Sequence, residues 1–423
     1  MRYLTILGKK QKIPKYPHHK DYVYRSHRFF EARSLYSLLA INGLYKAIRR
    51  FWLQRKYKIA IPYNLLIDPT SACNIKCIGC WAADYDRSSK ISFEKLDEIL
   101  TDARKLGVSD ILFSGGEPLM RKEDILKLCR KHNKLPFALF TNGTLIDDAF
   151  AEEMARLGNM NVFISIEGFR DATDFRRGKG TFDKVIAAMD ILKKHDIGFG
   201  FSVCYNSRNW KEICSDEFLD FTREKGAWIG WMFNYIPLGK GADTELCTTA
   251  EQRAFVKQKV DSYMKRHKFT IIDFANNGHM AFGCAGAGHG FAHINANGDM
   301  EPCAFFHYSD VNINEMSLRE ALASPFFRHY RKTRPFSGNP HRPCPIMDVP
   351  EVLKVLSESP GVRSTHLQSP ETMQQLSEKT RAIAEGWKPV GDDFLKKMPE
   401  KEKRKIRLLE RLILYKEQED INS

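Results

Sequence analysis

From Tyr63 to Tyr235 the chain alternates short apolar runs with amphipathic helical stretches six times, and this alternation most narrows the folds open to it. Tyr63–Ile67 (YNLLI) reads as a strand. Ser92 suits a helix N-cap, because Phe93, Leu96, Ile99, Leu100, Ala103 and Leu106 then recur at the helical period, and Gly107 suits the helix end. Further strands are predicted at Asp110–Phe113, Phe137–Thr141, Asn161–Ile166, Gly198–Cys204 and Trp228–Tyr235. The helices between them fall near Glu123–His132, Asp148–Leu157, Phe182–His195 and Glu217–Lys225. Such repetition predicts an α/β fold with a parallel sheet covered by helices. Six units fall short of the eight in a closed barrel, so alternation alone leaves an open sheet and a partial barrel both standing.

In either fold, sites form at the C-terminal ends of the strands, and the unusual segments of this chain fall there. Cys73, Cys77 and Cys80 follow the first strand, Ser114–Pro118 (SGGEP) the second and Thr141–Thr144 (TNGT) the third, while Ser165 and Glu167 end the fourth. Thiolates are soft, anionic ligands, and a C-x3-C-x2-C loop can reach three corners of one iron-sulfur cubane. A zinc knuckle would need a fourth Cys or His at short spacing, and the nearest downstream candidates, Cys129 and His132, lie in another repeat. A cluster with three protein ligands keeps one iron open to a small molecule.

Ten cysteines without a secretory signal argue for reduced thiols and a cytoplasmic chain rather than a disulfide framework. Cys129, Cys204, Cys214 and Cys247 lie singly in helix-like or strand-like segments and read as structural. No apolar run reaches the roughly 18 to 20 residues needed to span a membrane. The net charge of +14 permits an anionic membrane surface or an acidic substrate as partner. No appended RNA-binding module accompanies it, so no nucleic acid is expected.

The triplet after one strand and Gly115-Gly116-Glu117-Pro118 after the next together resemble the radical S-adenosylmethionine (SAM) superfamily over roughly residues 60 to 240. The resemblance implies a partial (β/α)6 barrel. It also implies a [4Fe-4S] cluster on Cys73, Cys77 and Cys80 whose open iron is chelated by SAM. Reductive cleavage of SAM would give a 5′-deoxyadenosyl radical that abstracts a substrate hydrogen atom, the cofactor carrying the hard chemistry. An electron donor such as flavodoxin or ferredoxin is implied. Gly115, Gly116, Glu117 and Pro118 match the segment that meets the methionine amino group, and Ser165 and Glu167 match the position facing the ribose. Arg177 is a candidate for the methionine carboxylate, and Asn142 for the cavity wall. The family usually has an aromatic residue just before its third cysteine. Here that position is Gly79, with Trp81 after Cys80, so Trp81 either supplies the aromatic surface or packs under the loop.

Cys284 and Cys303 are separated by thirteen residues, Gly298 and four more, and HINANGDMEP between them reads as a hairpin with an Asn-Gly turn. This resembles the SPASM or twitch extension of radical SAM enzymes, with Cys344 as a third ligand. A full SPASM domain carries seven cysteines for two clusters. Three cysteines here imply one auxiliary [4Fe-4S] cluster, its fourth ligand being Asp348, His307, His341, water or substrate.

The chain therefore divides into a helical N-terminal extension (1–60), a radical SAM core (61–245), an auxiliary-cluster segment (246–350) and a helical C-terminal tail (351–423). Residues 28–58 read as an amphipathic basic helix, either packed on the barrel or lying on the inner membrane surface as a peripheral contact. Residues 394–420 read as a charged helix. The substrate expectations are a ribosomally made peptide or a lipid or other membrane-associated small molecule. A non-catalytic iron-sulfur electron carrier is the alternative from another class.

Overall fold

The computed structural model describes residues 3–6, 9–12, 48–83, 86–239, 242–281 and 283–413. Residues 28–47 of the expected basic helix and 414–420 of the expected tail helix lie outside the described residues. Six parallel strands carry the expected order: β1 (Asn64–Ile67), β2 (Asp110–Phe113), β3 (Phe137–Thr141), β4 (Met160–Ser165), β5 (Phe199–Tyr205) and β6 (Ala227–Asn234). Local signals set the helices between them. The helix Phe93–Leu106 starts where the Ser92 hydroxyl accepts from the Lys95 amide at 3.1 Å and stops at Gly107, whose φ of 85° is left-handed. The segment after β4 holds two helices, Arg170–Arg177 and Thr181–Lys194, where the sequence pattern predicts one.

The sheet continues past residue 245. Strand β7 (Thr270–Asp273) pairs parallel with β6, and β8 (Phe291–Ile294) pairs parallel with β1. The hairpin strand β9 (Met300–Glu301) pairs antiparallel with β8, His293 facing Glu301 across the expected Asn-Gly turn. The order is β9-β8-β1-β2-β3-β4-β5-β6-β7, and its two ends do not pair. Segments expected to belong to the auxiliary site thus supply edge strands to the core sheet, covering backbone groups that β1 and β6 would otherwise leave unpaired. Leu65, Ile67, Ile111, Phe113, Leu139 and Val162 fill the layer between sheet and helices.

A helix over residues 48–57 packs under the sheet. The Arg50 guanidinium lies 3.4 Å from the Tyr63 ring centre and donates to the carbonyls of Ile61 and His289 at 2.6 and 2.9 Å. At the other end, the helix Met373–Lys397 buries Trp387, whose indole N–H donates to the His341 carbonyl at 2.8 Å. Among the described residues no helix is long and apolar enough to cross a membrane.

Candidate active site: two cysteine sites on adjoining cavities

The loop of Cys73, Cys77 and Cys80 leaves the C-terminal end of β1 and is fastened from four directions. The Asn142 side-chain amide donates to Asn74 Oδ1 and Asn74 Nδ2 donates to Thr144 Oγ1, both at 2.8 Å. Arg87 donates to the carbonyls of Cys73 and Ile75 at 3.2 and 3.1 Å. From the helix Arg170–Arg177, the Arg176 carbonyl accepts from the Ile78 amide at 2.8 Å. Behind the loop, Gly116 N–H donates to the Thr70 carbonyl and Glu117 N–H to that of Ala72, at 3.0 and 2.8 Å. A Cβ on Gly115 would come within 2.5 Å of the Thr70 oxygen, and one on Gly116 within 2.2 Å of the Ala72 oxygen. The two glycines are therefore needed first for docking the second loop against the cysteine loop.

Cys73, Cys77, Cys80, Gly115, Gly116, Glu117, Asn142, Ser165 and Arg177 all line one cavity of about 160 Å³, with Arg176, Ser202 and Tyr235 beside them. Pro118 is not on its wall; it opens the short 3-10 turn Pro118–Arg121. Glu117 accepts three hydrogen bonds from the protein. Its carboxylate takes the Thr141 hydroxyl and the Asn142 amide, each at 2.7 Å, and the Leu119 amide at 3.0 Å. Burial nevertheless raises its pKa above the ordinary carboxyl value.

Glu167 departs from the expectation. Its side chain is fully buried and off the cavity wall, where Arg176 Nη1 donates at 2.7 Å, Arg177 Nε at 2.8 Å and the Cys204 amide at 2.9 Å. Burial alone would raise its carboxyl; Arg176 and Arg177 hold it below the usual range instead. Position on a strand end did not reveal the following helix, whose two arginines reach back and claim the carboxylate. With Nε and Nη2 held by Glu167, Arg177 keeps Nη1 at 3.9 Å from Cys77 Sγ. Ser165 remains on the wall, 3.1 Å from the Ser202 hydroxyl.

Gly79 has φ +63°, and a Cβ there would meet Tyr235 Cε2 at 2.5 Å. The space beside the third cysteine is thus filled by an aromatic ring arriving from the end of β6. Trp81 also lines the cavity, but its ring packs edge-on against His293, Phe305 and His307, at 5.7, 6.1 and 5.8 Å between centroids. It ties the first cysteine loop to the second cysteine region. Sequence reading missed Arg176 and Tyr235. The Arg176-Arg177 doublet was a visible signal, whereas nothing local marked Tyr235.

Cys284, Cys303 and Cys344 line an adjoining cavity of about 1060 Å³ between β7 and the β8–β9 hairpin. Cys303 borders both cavities, as do Trp231, Phe274, Phe291 and Phe305. Tyr330 Oη lies 3.2 Å from Cys284 Sγ, which also accepts from the Gly286 amide at 3.4 Å. Of the expected fourth ligands, Asp348 lines the cavity but is engaged. It pairs with buried Arg253 at 2.6 Å and accepts from the Cys344 amide at 2.9 Å. His307 is held by His366 and lies 2.7 Å from the Ala304 carbonyl, and neither it nor His341 is on the cavity wall.

All six sulfurs are free thiols. Burial pushes the Cys73 thiol up to about 11 and Cys344 up to about 12, so each is neutral until a cation compensates the thiolate, and metal binding must release protons. Among the described residues no three Cys, His, Asp or Glu groups converge closely enough to hold a single metal ion. A cubane, with each thiolate on a separate iron, asks for wider spacing than one ion does. What fits an iron-sulfur cluster at each site is the chemistry of the donors, three free thiols lining one cavity.

Buried between the two regions, His293 lies 3.0 Å from Asp68 and 2.7 Å from Glu301. Burial alone would lower its pKa, but the two carboxylates raise it to about 10.

A partial α/β barrel with a cysteine triplet at its rim and a second triplet on the adjoining wall defines an iron-sulfur enzyme. The model of the radical SAM superfamily matches residues 67–216, and that of the iron-sulfur cluster-binding SPASM domain matches residues 284–345. The chain belongs to the radical SAM superfamily and carries a SPASM domain, and its cofactors are accordingly SAM and [4Fe-4S] clusters. It is similar to the AdoMet-dependent heme synthase of Methanosarcina barkeri, with 25% identity over 64% of this chain and 84% of that one. It is also similar to the Fe-coproporphyrin III synthase of that organism, with 33% identity over 34% of this chain but only 37% of that protein. Among solved structures, Streptococcus suis SuiB bound to the precursor peptide SuiA matches with TM-score 0.56 and 20% identity, over 67% of this chain and 70% of that one. This last likeness is one of fold.

Proposed function

We propose that the protein binds SAM at a cluster on Cys73, Cys77 and Cys80 and acts on a tetrapyrrole-class substrate held in the larger cavity, beside an auxiliary cluster on Cys284, Cys303 and Cys344. The observation that carries this reading is that both cysteine triplets border adjoining cavities sharing Cys303 and an aromatic wall. The tetrapyrrole names of two relatives and the cavity's size support the substrate class. When bound, the cluster and SAM supply a reductively generated 5′-deoxyadenosyl radical able to take a hydrogen atom from the substrate.

The chain's own residues bind, orient and exclude water. Arg177, fixed by Glu167, sets a positive charge beside Cys77 and offsets the anionic cluster. Backbone oxygens around Gly115 and Gly116 are acceptors for an ammonium group. Tyr235 and Trp81 supply aromatic surface to the cavity wall. A flavodoxin or ferredoxin would deliver the electron. Ile48, Phe51 and Trp52 are exposed next to Arg49 and Arg55, which supports peripheral contact with an anionic membrane. Cosedimentation with phosphatidylglycerol vesicles, lost in Trp52→Glu, would test that contact.

Anaerobic reconstitution followed by dithionite and SAM tests the core reading, and 5′-deoxyadenosine should form. Failure to form it in a protein with full iron content would sink the proposal. A second reading, a peptide substrate, is favoured by one feature: the outer edge of β7 is unpaired among the described strands and can accept an extended chain.

A further inference from the structure

The first cysteine loop has an inner and an outer face. Cys73, Ile75, Cys77 and Gly79 line the cavity, whereas Asn74, Lys76 and Ile78 between them are exposed. One thickness of backbone therefore separates these sulfurs from solvent. The second triplet is placed differently. Its cysteines come from three segments, and behind Cys344 the buried Arg253 is itself covered by the Trp387 ring, 3.9 Å away.

The outer face runs on into the helix Arg170–Arg177. The Ile78 amide donates to the Arg176 carbonyl at 2.8 Å, which brings Ile78 beside Phe175. Both are apolar and exposed, at 42% and 39%. The Arg208 guanidinium lies 4.4 Å from the Phe175 ring centre, and exposed Lys179 follows the end of the helix. On the opposite flank Arg87 spends its donors on the carbonyls of Cys73 and Ile75.

These cations differ from those on the helical layer, where Arg130, Lys131 and Lys194 are paired with Glu153, Asp97 and Asp148. Lys76, Lys179 and Arg208 meet no carboxylate among the described residues. Two neighbouring acids are used internally. Asp86 accepts from the Ser71 hydroxyl and the Ser89 amide at 3.3 and 2.9 Å, and Asp174 from the amides of Gly180 and Phe182 at 2.8 Å each. Exposed Asp171 offsets part of the positive charge. A small apolar centre ringed by unpaired cations is the make-up of a weak interface guided by charge.

Resting on the radical SAM reading above, which requires an electron at the first cluster, we propose that this face docks a small acidic one-electron carrier protein. Ile78 and Phe175 form the apolar centre of the contact. Lys76, Arg87, Lys179 and Arg208 draw in the carrier's carboxylates. From a flavodoxin, the anionic flavin hydroquinone gives up one electron and becomes the neutral semiquinone. The cluster takes up that electron, and no proton changes hands.

The test mixes the anaerobic holoprotein, both clusters assembled and SAM absent, with flavodoxin hydroquinone in stopped flow and follows the rise of the semiquinone band. At low salt the second-order rate should fall about fiftyfold when Lys76→Glu, Lys179→Glu and Arg208→Glu are combined, and about fivefold in Lys76→Glu alone. The differences should close at high salt. Photoexcited deazaflavin, a small uncharged reductant, should reduce every variant at the wild-type rate, and iron content controls for folding. Lys268→Glu, on the wall of the second cavity, should stay within about twofold of wild type. A combined variant that accepts electrons at the wild-type rate would overturn the proposal. So would a loss in Lys268→Glu as large as in the combined variant, which would place electron entry at the second site, or no transfer from flavodoxin to clusters that deazaflavin reduces. Formation of 5′-deoxyadenosine with dithionite is measured separately. The docking rate needs no SAM cleavage, so a wrong surface is distinguishable from a wrong reaction.

Discussion

The two cysteine sites solve the same ligand problem by different means. The first draws its sulfurs from one loop of eight residues, Cys73 to Cys80, at the end of a strand, and neighbouring loops merely brace it. The second draws Cys284, Cys303 and Cys344 from three segments. It depends on the β8–β9 hairpin and on Arg253, from a helix nearly a hundred residues away, holding Asp348 against the Cys344 amide. A site built in one loop should withstand distant damage, whereas a site built by tertiary packing should not.

The largest effect that can break this contrast comes from Cys77→Ala. Formation of 5′-deoxyadenosine should fall at least about a thousandfold, with iron dropping from about eight to about four per chain as the second cluster persists. Retention of full iron would mean the first site is misassigned. The mirror experiment, Cys284→Ala, should also halve the iron yet leave SAM cleavage in place, and loss of both clusters would show that the sites are not separable. Arg253→Met then asks whether the second site really depends on distant packing. Stripping buried Asp348 of its partner should cost about 3–5 kcal/mol in urea unfolding and deplete the second cluster selectively, as read by electron paramagnetic resonance. Equal depletion of both would erase the distinction.

A smaller effect concerns the His293 link between the regions. Its folded pKa, about 10, is raised above its ordinary unfolded value near 6.5. Its stabilisation is thus fully present below pH 6.5 and is lost as pH rises through 10. Denaturant midpoints should fall across that window, and His293→Gln should flatten the decline; an unchanged slope would remove His293 from the account. The smallest effect is expected from Tyr330→Phe. Loss of the hydroxyl beside Cys284 should make the second cluster's midpoint potential more negative at unchanged iron content. No shift would mean that the phenol does not donate to that sulfur.

Much of the first site was legible because its information is local. Cysteine spacing, the glycines of the next loop and strand-helix alternation are all short-range signals, and the same holds for the Asn-Gly turn of the β8–β9 hairpin. Glu167 was not legible in this way. Strand position placed it at the rim, but the conformation of the following helix decided that its carboxylate faces Arg176 and Arg177 rather than the cavity. Gly79 stood out only for the aromatic it lacks, and Tyr235 looks unremarkable until the fold sets its ring where a side chain at 79 would stand. Strand β7 was missed, and so was the pairing of the hairpin strand β8 with β1, because each strand is four residues long and takes its place in the sheet from a partner distant in the chain.

By itself the sequence determined the repeating α/β core, the loop that can hold a SAM-binding cluster and the presence of a second set of thiols, since each depends on the spacing of near neighbours. Tertiary structure alone decided that the eight parallel strands leave a seam, that the second triplet opens onto that seam, and that Cys303 and a shared aromatic wall join the two cavities. Those outcomes depend on which edge a short strand finds and which partner a buried charge meets. Such choices are made by burial and hydrogen bonding between segments far apart in the chain, and no local pattern encodes them.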